Sequence, residues 1–304
     1  MDVKTISRTI FILILSVMPF MSVLKGQSKQ TNNELAVGDL KVYKLQDAQM
    51  YLHLSLLAGI EHEEAMKLEG GSDSAWTPVN AYLVKTPKHL VLVDAGIGVS
   101  KDKNTGHLLA QMTEAGIDPA NVDLILITHF HFDHIGGLLT PEGKRLFPNA
   151  TVRVSQTEND FWMRDTAEMP SNLRERASAI KAILAPYINA KAYLPFASNE
   201  DFGDGIKAIA AFGHTPGHTV FTFSSKGQEL WCIGDLIHFN DIQFTNPTVS
   251  VVFDSNNKMA IASRVDFFQR AALTHSIIAG AHLPNFLKLE KNGNGFVAIP
   301  VVKH

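Results

Sequence analysis

Between Thr128 and Gly137 the chain reads THFHFDHIGG, three histidines and an aspartate within six consecutive positions, directly after the apolar run VDLILI. Imidazole and carboxylate side chains together suit zinc or another first-row divalent ion. Where a strand ends in His129-x-His131, the two imidazoles project from one face at period two. Asp133 and His134 follow on the turn and can point into the same space from the other side. A structural zinc site is usually closed by four ligands and rich in cysteine, and the chain has one cysteine, Cys232. The cluster therefore reads as an open, working site. His218 in GHTPGHT, Asp235 in CIGD and His282 in AGAH extend it, each at the start or end of a predicted strand. Seven ligands are too many for one ion and suit two metals about 3.5–4 Å apart that share Asp235.

The elements that must position these residues alternate strand-like and helical runs from Leu35 onward, with no Pro/Gly/Ser-rich linker between them. VNAYLVKTPKHLVLVDAG predicts a hairpin with Asp94 at its end. NTGHLLAQMTEAG predicts a helix with Thr105 as N-cap, and SNLRERASAIKAILAPYI another with Leu173, Ala177, Ile180, Leu184 and Tyr187 on one face. TVFTFSSKGQELWCIGD then repeats the strand, turn, strand, aspartate pattern of NAYLVKTPKHLVLVD. A last helix carries an Ile261, Val265, Phe268, Ala272 stripe behind an Asp254/Ser255 cap, and the strand SIIAGAH ends on His282. Two αβ halves sending side chains out at strand ends imply an α/β sandwich, two sheets face to face with helices outside.

A chain of 304 residues with 45% hydrophobic and 19% charged residues can bury a large core. A formal net charge of −3 and no Lys/Arg block leave no footprint for nucleic acid or an anionic membrane. Lys4 and Arg8 precede the apolar run TIFILILSVMPFMSVL, which a polar stretch follows. This reads as a signal peptide over 1–26, with a flexible linker over 27–36 and one working domain over 37–304. The expected location is periplasmic or secreted, with no stable membrane association after cleavage. One cysteine excludes an internal disulfide.

The pattern HxHxDH, a later lone His, an Asp and a final His resembles the metallo-β-lactamase superfamily, and the resemblance covers nearly all of the mature chain. It implies an αββα fold and a two-zinc site. By that resemblance His129, His131 and His218 hold the first metal, Asp133, His134 and His282 the second, and Asp235 bridges them. Oxygen-reducing diiron members put Glu at the second position of the motif, where this chain has His131; true β-lactamases lack the bridging carboxylate that Asp235 supplies. TPVNAYLV, LFPNATVRVSQTENDFW and GDLIHFNDIQF resemble the exported methyl parathion hydrolase and quorum-quenching lactonase branch. The expectation is a hydrolase opening N-acyl homoserine lactones, a small-molecule lactone or ester being its partner and a homodimer its assembly. Aryl phosphotriester hydrolysis, β-lactam hydrolysis and metal binding without turnover are the alternatives. Asp133 is expected to carry the proton. His238 stands where smaller lactonases of this kind have a tyrosine, and is expected to donate to the lactone carbonyl or its oxyanion and, titrating near pH 6.5, to shape the acidic limb of the rate profile. Asp94 is expected to orient a ligand imidazole, and His214 to bond the backbone of its own HTPGH loop. The leucines and methionines of YLHLSLLAGIEHEEAMKLEGG are core or pocket-wall candidates.

Overall fold

The structure, a computed structural model, describes residues 33–100 and 102–302. The expected signal peptide and residues 27–32 of the expected linker lie outside that range. The linker's last residues are not loop: β1 (Glu34–Val37) pairs with β2 (Leu40–His53), the chain reversing at Gly38 with φ +59°. A Cβ at Gly38 would stand 2.4 Å from the Ser225 carbonyl oxygen, so this close turn takes glycine.

Beyond β1 and β2 the first sheet adds β4 (Ser74–Lys85), β5 (Leu90–Val93), β6 (Leu124–Leu126) and β7 (Thr151–Arg153), antiparallel as far as β5 and parallel from there. The second sheet orders β15 (Gly295–Pro300), β14 (Leu287–Asn292), β13 (Ile277–Ala279), β11 (Gln228–Cys232), β10 (Thr219–Ser225), β9 (Ile206–Ala210) and β8 (Glu200–Gly203), with β11 and β13 parallel. A short ribbon joins β3 (Leu57–Ala58) to β12 (Ser250–Val251). In each sheet the strand that ends in a functional aspartate, β5 or β11, closes an antiparallel hairpin and then pairs in parallel with the next. The internal repeat is thus a repeat of topology.

Alternation along the central strands sets the layers. Val91 and Val93 of β5 face a core shared with Phe221, Phe223, Leu230 and Cys232 of the second sheet. Leu92, between them, faces the opposite way, against α2 (Leu108–Glu114) and α5 (Arg174–Asn189) through Met112, Ile180 and Leu184. On the second sheet Trp231 turns outward to Phe267, Phe268 and Ala271 of α7 (Asn257–Thr274). Strands covered on both faces read as continuous apolar runs, which is why VDLILI and ELWCI show no alternation. The result is the αββα sandwich.

Three local expectations are corrected: α2 begins at Leu108 with His107, not Thr105, at its N-cap, and α7 differs in both stripe and cap. The buried stripe of α7 is Ala260, Arg264, Phe267, Phe268 and Ala271, one position off the expected set. Its cap is Asn256, which accepts from the Met259 amide. The register follows Arg264, whose guanidinium is buried because it donates to the carbonyls of Leu236, Pro247 and Val249. The amphipathic segment after β2 builds α1 (His62–Leu68), and a small satellite core joins Leu54 and Ala65 to Phe239, Ile242 and Val251 near α6 (Asn240–Thr245). No described helix is long and apolar enough to cross a membrane.

Candidate metal centre

The ligand-rich motif lies where β6 gives way to α3 (Phe132–Ile135), a single turn whose N-cap is His131. Gly136 and Gly137 allow this turn to press against the loop after β5: a Cβ at either would stand 2.0 Å from the carbonyl oxygen of Ile97 or Ala95. Asp94, at the end of β5, adopts φ +58°, a conformation uncommon outside glycine. It accepts from the Thr128 amide and hydroxyl, each at 2.8 Å, and from His134 Nδ1 at 2.8 Å. The expectation that Asp94 orients an imidazole therefore has its geometry.

Other rings are pinned in the same way. His129 Nδ1 donates to Thr128 Oγ1 at 3.1 Å, His282 Nδ1 to the Pro78 carbonyl at 2.9 Å and His214 Nδ1 to Asp254 Oδ1 at 2.9 Å. Each ring so held presents Nε2 to a common centre, the arrangement by which outer partners aim metal-binding imidazoles. Asp235, placed just after β11, divides that centre. Its Oδ1 lies 3.1 Å from His134 Nε2 and 3.3 Å from His282 Nε2, while its Oδ2 lies 3.5 Å from His129 Nε2 and 3.2 Å from His214 Nε2. His131 Nδ1 is 3.0 Å from His214 Nε2, and Asp133 Oδ2 is 3.6 Å from both His134 and His282 Nε2. Two potential metal-holding groups result: His129, His131, His214 and Asp235, and Asp133, His134, Asp235 and His282.

These groups fit metal ions. Ligand atoms 2.0–2.1 Å from a tetrahedral zinc lie about 3.3 Å apart, the spacing seen between the atoms above. His129 Nε2, His134 Nε2 and Asp235 Oδ1 are buried and, among the described residues, make no hydrogen bond. Buried polar atoms are rarely left so, and here each group holds at least one, the mark of a cation site in each. Burial, with help from neighbouring imidazoles, pushes His129 and His131 well below the usual histidine range, so they are neutral, as ligands must be. Burial also opposes charge on His134 and His214, yet nearby carboxylates outweigh it, raising His214 to about 9 and His134 well above its usual value. Loading with metal must expel those protons.

His218 is not among the groups, although its ring is fully buried beside them. Its Nδ1 donates to the Ala211 carbonyl at 3.1 Å and its Nε2 accepts from the Asp235 amide at 3.0 Å, so both nitrogens carry hydrogen bonds in this arrangement. Gly234 makes room for this contact, since a Cβ there would sit 2.6 Å from His218 Nε2. His214, read from sequence as a loop-bonding residue, takes the vacated place, because Asp254 holds its ring inward. Asp254 in turn accepts from the Val251 amide at 3.2 Å and lies 3.8 Å from the buried Arg264.

His238 is also corrected. It lines the cavity over the cluster, but its Nε2 bonds Asp235 Oδ2 at 3.1 Å and its buried Nδ1 has no hydrogen-bond partner among the described residues. Burial lowers it to about 4 against the pull of Asp235, so it is neutral at ordinary pH and does not titrate near 6.5.

The residue that sequence reading missed entirely is Glu158, in α4 (Gln156–Trp162) and fully buried. Its carboxylate accepts from the Phe130 amide at 3.0 Å, Trp162 Nε1 at 2.9 Å, Thr215 Oγ1 at 2.8 Å and the Gly217 amide at 2.8 Å. It thereby ties the His129-x-His131 strand end to the loop carrying His214. Glu158→Gln, which puts an amide donor against these donors, is expected to weaken metal binding about 10- to 100-fold without removing a ligand. Chelator competition on the variant checks this; parental affinity in a folded variant contradicts it.

The cavity above the cluster measures about 340 Å³ and is walled by Met50, Leu52, Phe132 and Phe253, with Asp133, Arg176 and His238 among its polar lining. A hollow of about 700 Å³ adjoins it past His131.

Comparison with known proteins assigns the chain a family. A family model described as the metallo-beta-lactamase superfamily matches residues 74–282. Among solved structures the chain is similar to AidC, a dizinc quorum-quenching lactonase in complex with a product, N-hexanoyl-L-homoserine. That similarity has a TM-score of 0.81 and 30% identity over 89% of this chain and 97% of the other. It is also similar to the hydrolase AbOPH in the beta lactamase superfamily, with a TM-score of 0.82 and 29% identity over the same shares. An N-acyl homoserine lactonase of Bacillus thuringiensis is 26% identical over 160 residues, 46% of this chain and 56% of that one. The chain thus matches little more than half the length of that curated relative.

Proposed function

The chain belongs to the metallo-beta-lactamase superfamily, and from that footing we propose that this metal-dependent hydrolase opens the ring of N-acyl homoserine lactones with a pair of zinc ions. The observation that carries the reading is the division of the Asp235 carboxylate, one oxygen toward each ligand group, beneath a cavity walled by apolar side chains. The similarity to AidC over most of both chains favours a lactone over a phosphotriester or a β-lactam. His129, His131 and His214 would hold one ion, Asp133, His134 and His282 the other, and Asp235 both. When bound, two such ions supply a water acidified toward neutral pH and a Lewis-acid contact for the carbonyl oxygen.

The protein's own groups do the rest. Asp133, its side chain 26% exposed and held below the ordinary carboxylate range by His134 and His282 against its burial, takes a proton from the attacking water. It returns that proton to the alkoxide, which stays tethered in the ring-opened product. His238 stays neutral and fixes the orientation of Asp235. Phe132, Phe253, Met50 and Leu52 exclude bulk water from the reacting carbonyl. We propose further that residues 1–26 direct export and are removed, that 37–304 is the working domain in the periplasm or medium, and that it assembles as a homodimer.

One preparation tests the reading. Zinc-supplemented mature protein is expected to bind about two ions per chain. It should turn over an acyl homoserine lactone with a kcat/KM at least about tenfold above that for an aryl phosphotriester or nitrocefin. A faster triester moves the substrate assignment; one ion or none per chain overturns the dinuclear centre.

A further inference from the structure

Arg176 stands on the first turn of α5 and lines both hollows, which share only His131, Arg176 and Phe253. Among the described residues no other lysine or arginine lines either one. Its basic neighbours on α5 are committed to the protein: Arg174 donates to the carbonyls of Met169 and Ala167, and Lys181 to the Arg164 carbonyl and the Thr166 hydroxyl. Arg176 is exposed and, among the described residues, has no hydrogen bond, ion pair or ring contact. A guanidinium offers five N–H donors in a rigid plane and accepts nothing. A ligand that covers it without offering an acceptor strips its water and returns nothing, so the junction selects for an acceptor placed beyond the reacting carbonyl. Past that junction the larger hollow presents Leu173, Val252 and Met259, a surface suited to hydrocarbon.

The geometry points to Arg176 as a specificity-determining residue that donates to the amide carbonyl of the substrate's acyl arm while the arm's tail lies along Leu173, Val252 and Met259. This rests on the lactonase reading and deepens it: the preferred substrate is a lactone with a carbonyl-bearing, apolar arm, and not a bare lactone ring.

The test compares zinc-loaded parent, Arg176→Met and Arg176→Lys on N-hexanoyl homoserine lactone and on γ-butyrolactone, which has the ring and no arm. For Arg176→Met the ratio of kcat/KM, acylated over bare lactone, is expected to fall about tenfold, carried by KM and not kcat. Arg176→Lys should recover part of the loss, and titration with N-hexanoyl-L-homoserine should show the same order of affinities. Equal losses on both lactones, or an unchanged ratio, overturn the role of Arg176 alone. Turnover of neither lactone by the parent overturns the lactonase reading and this inference with it.

Discussion

Asp235→Ala is expected to lower kcat/KM by well over the roughly 100-fold that a change outside the ligand set costs, and to reduce bound metal from about two ions per chain to one or none. The size follows from position. Both carboxylate oxygens are engaged, Oδ1 beside His134 and His282 and Oδ2 beside His129, His214 and His238, so a single substitution strikes both groups at once. It also removes the negative charge nearest to a set of buried imidazoles. Without ions, His134 and His214 hold protons that burial alone would strip, and Asp235 is the first carboxylate responsible in each. Two cations in the same volume need that charge more. The check is metal content and kcat/KM on one zinc-supplemented sample. Two ions and near-parental turnover would remove Asp235 from the bridging position.

Much of this site was legible because it is local. His129, His131, Asp133 and His134 sit within six residues, and the strand before them ends where an apolar run ends. Asp235 and His282 could be placed because each closes a predicted strand, and the two-sheet architecture followed from the repeated hairpin-aspartate unit. What was not legible is set by partners far away in sequence. His238 was expected to donate to substrate because smaller lactonases of this kind have a tyrosine at that place; Asp235, three residues back, claims it once the chain turns there. Glu158 lies in a helical run that any surface helix could show, and only the fold brings Phe130, Thr215 and Gly217 onto its carboxylate. The stripe of α7 shifted by one position because a buried arginine finds three carbonyls, an arrangement hydrophobic periodicity cannot register.

The pair His214 and His218 separates these two kinds of information most sharply, and His214→Ala against His218→Ala is the substitution pair with opposite expected signatures. Both residues belong to GHTPGHT, four positions apart, and nothing in that heptad says which ring faces an ion. The distinction comes from Asp254, 40 residues on, which fixes His214 with Nε2 inward, and from the Ala211 carbonyl and Asp235 amide, which occupy both nitrogens of His218. His214→Ala should therefore strip the group that includes His129 and His131, with weaker metal retention and a loss of activity exceeding about 100-fold. It also takes the donor from the buried Asp254 carboxylate, so the metal-free protein should lose about 1–3 kcal/mol of stability as well, and the contrast between the two variants lies in metal retention. His218→Ala removes no ligand atom. It deprives the buried Asp235 amide of its acceptor, which costs about 1–3 kcal/mol of stability, and lets the bridging carboxylate drift. The expected result is two ions retained, a lower melting temperature and an activity loss within about 100-fold. Chelator competition, melting curves and kcat/KM on both variants read the contrast directly. If His218→Ala empties the site while His214→Ala keeps both ions, the ring that faces the metal is His218.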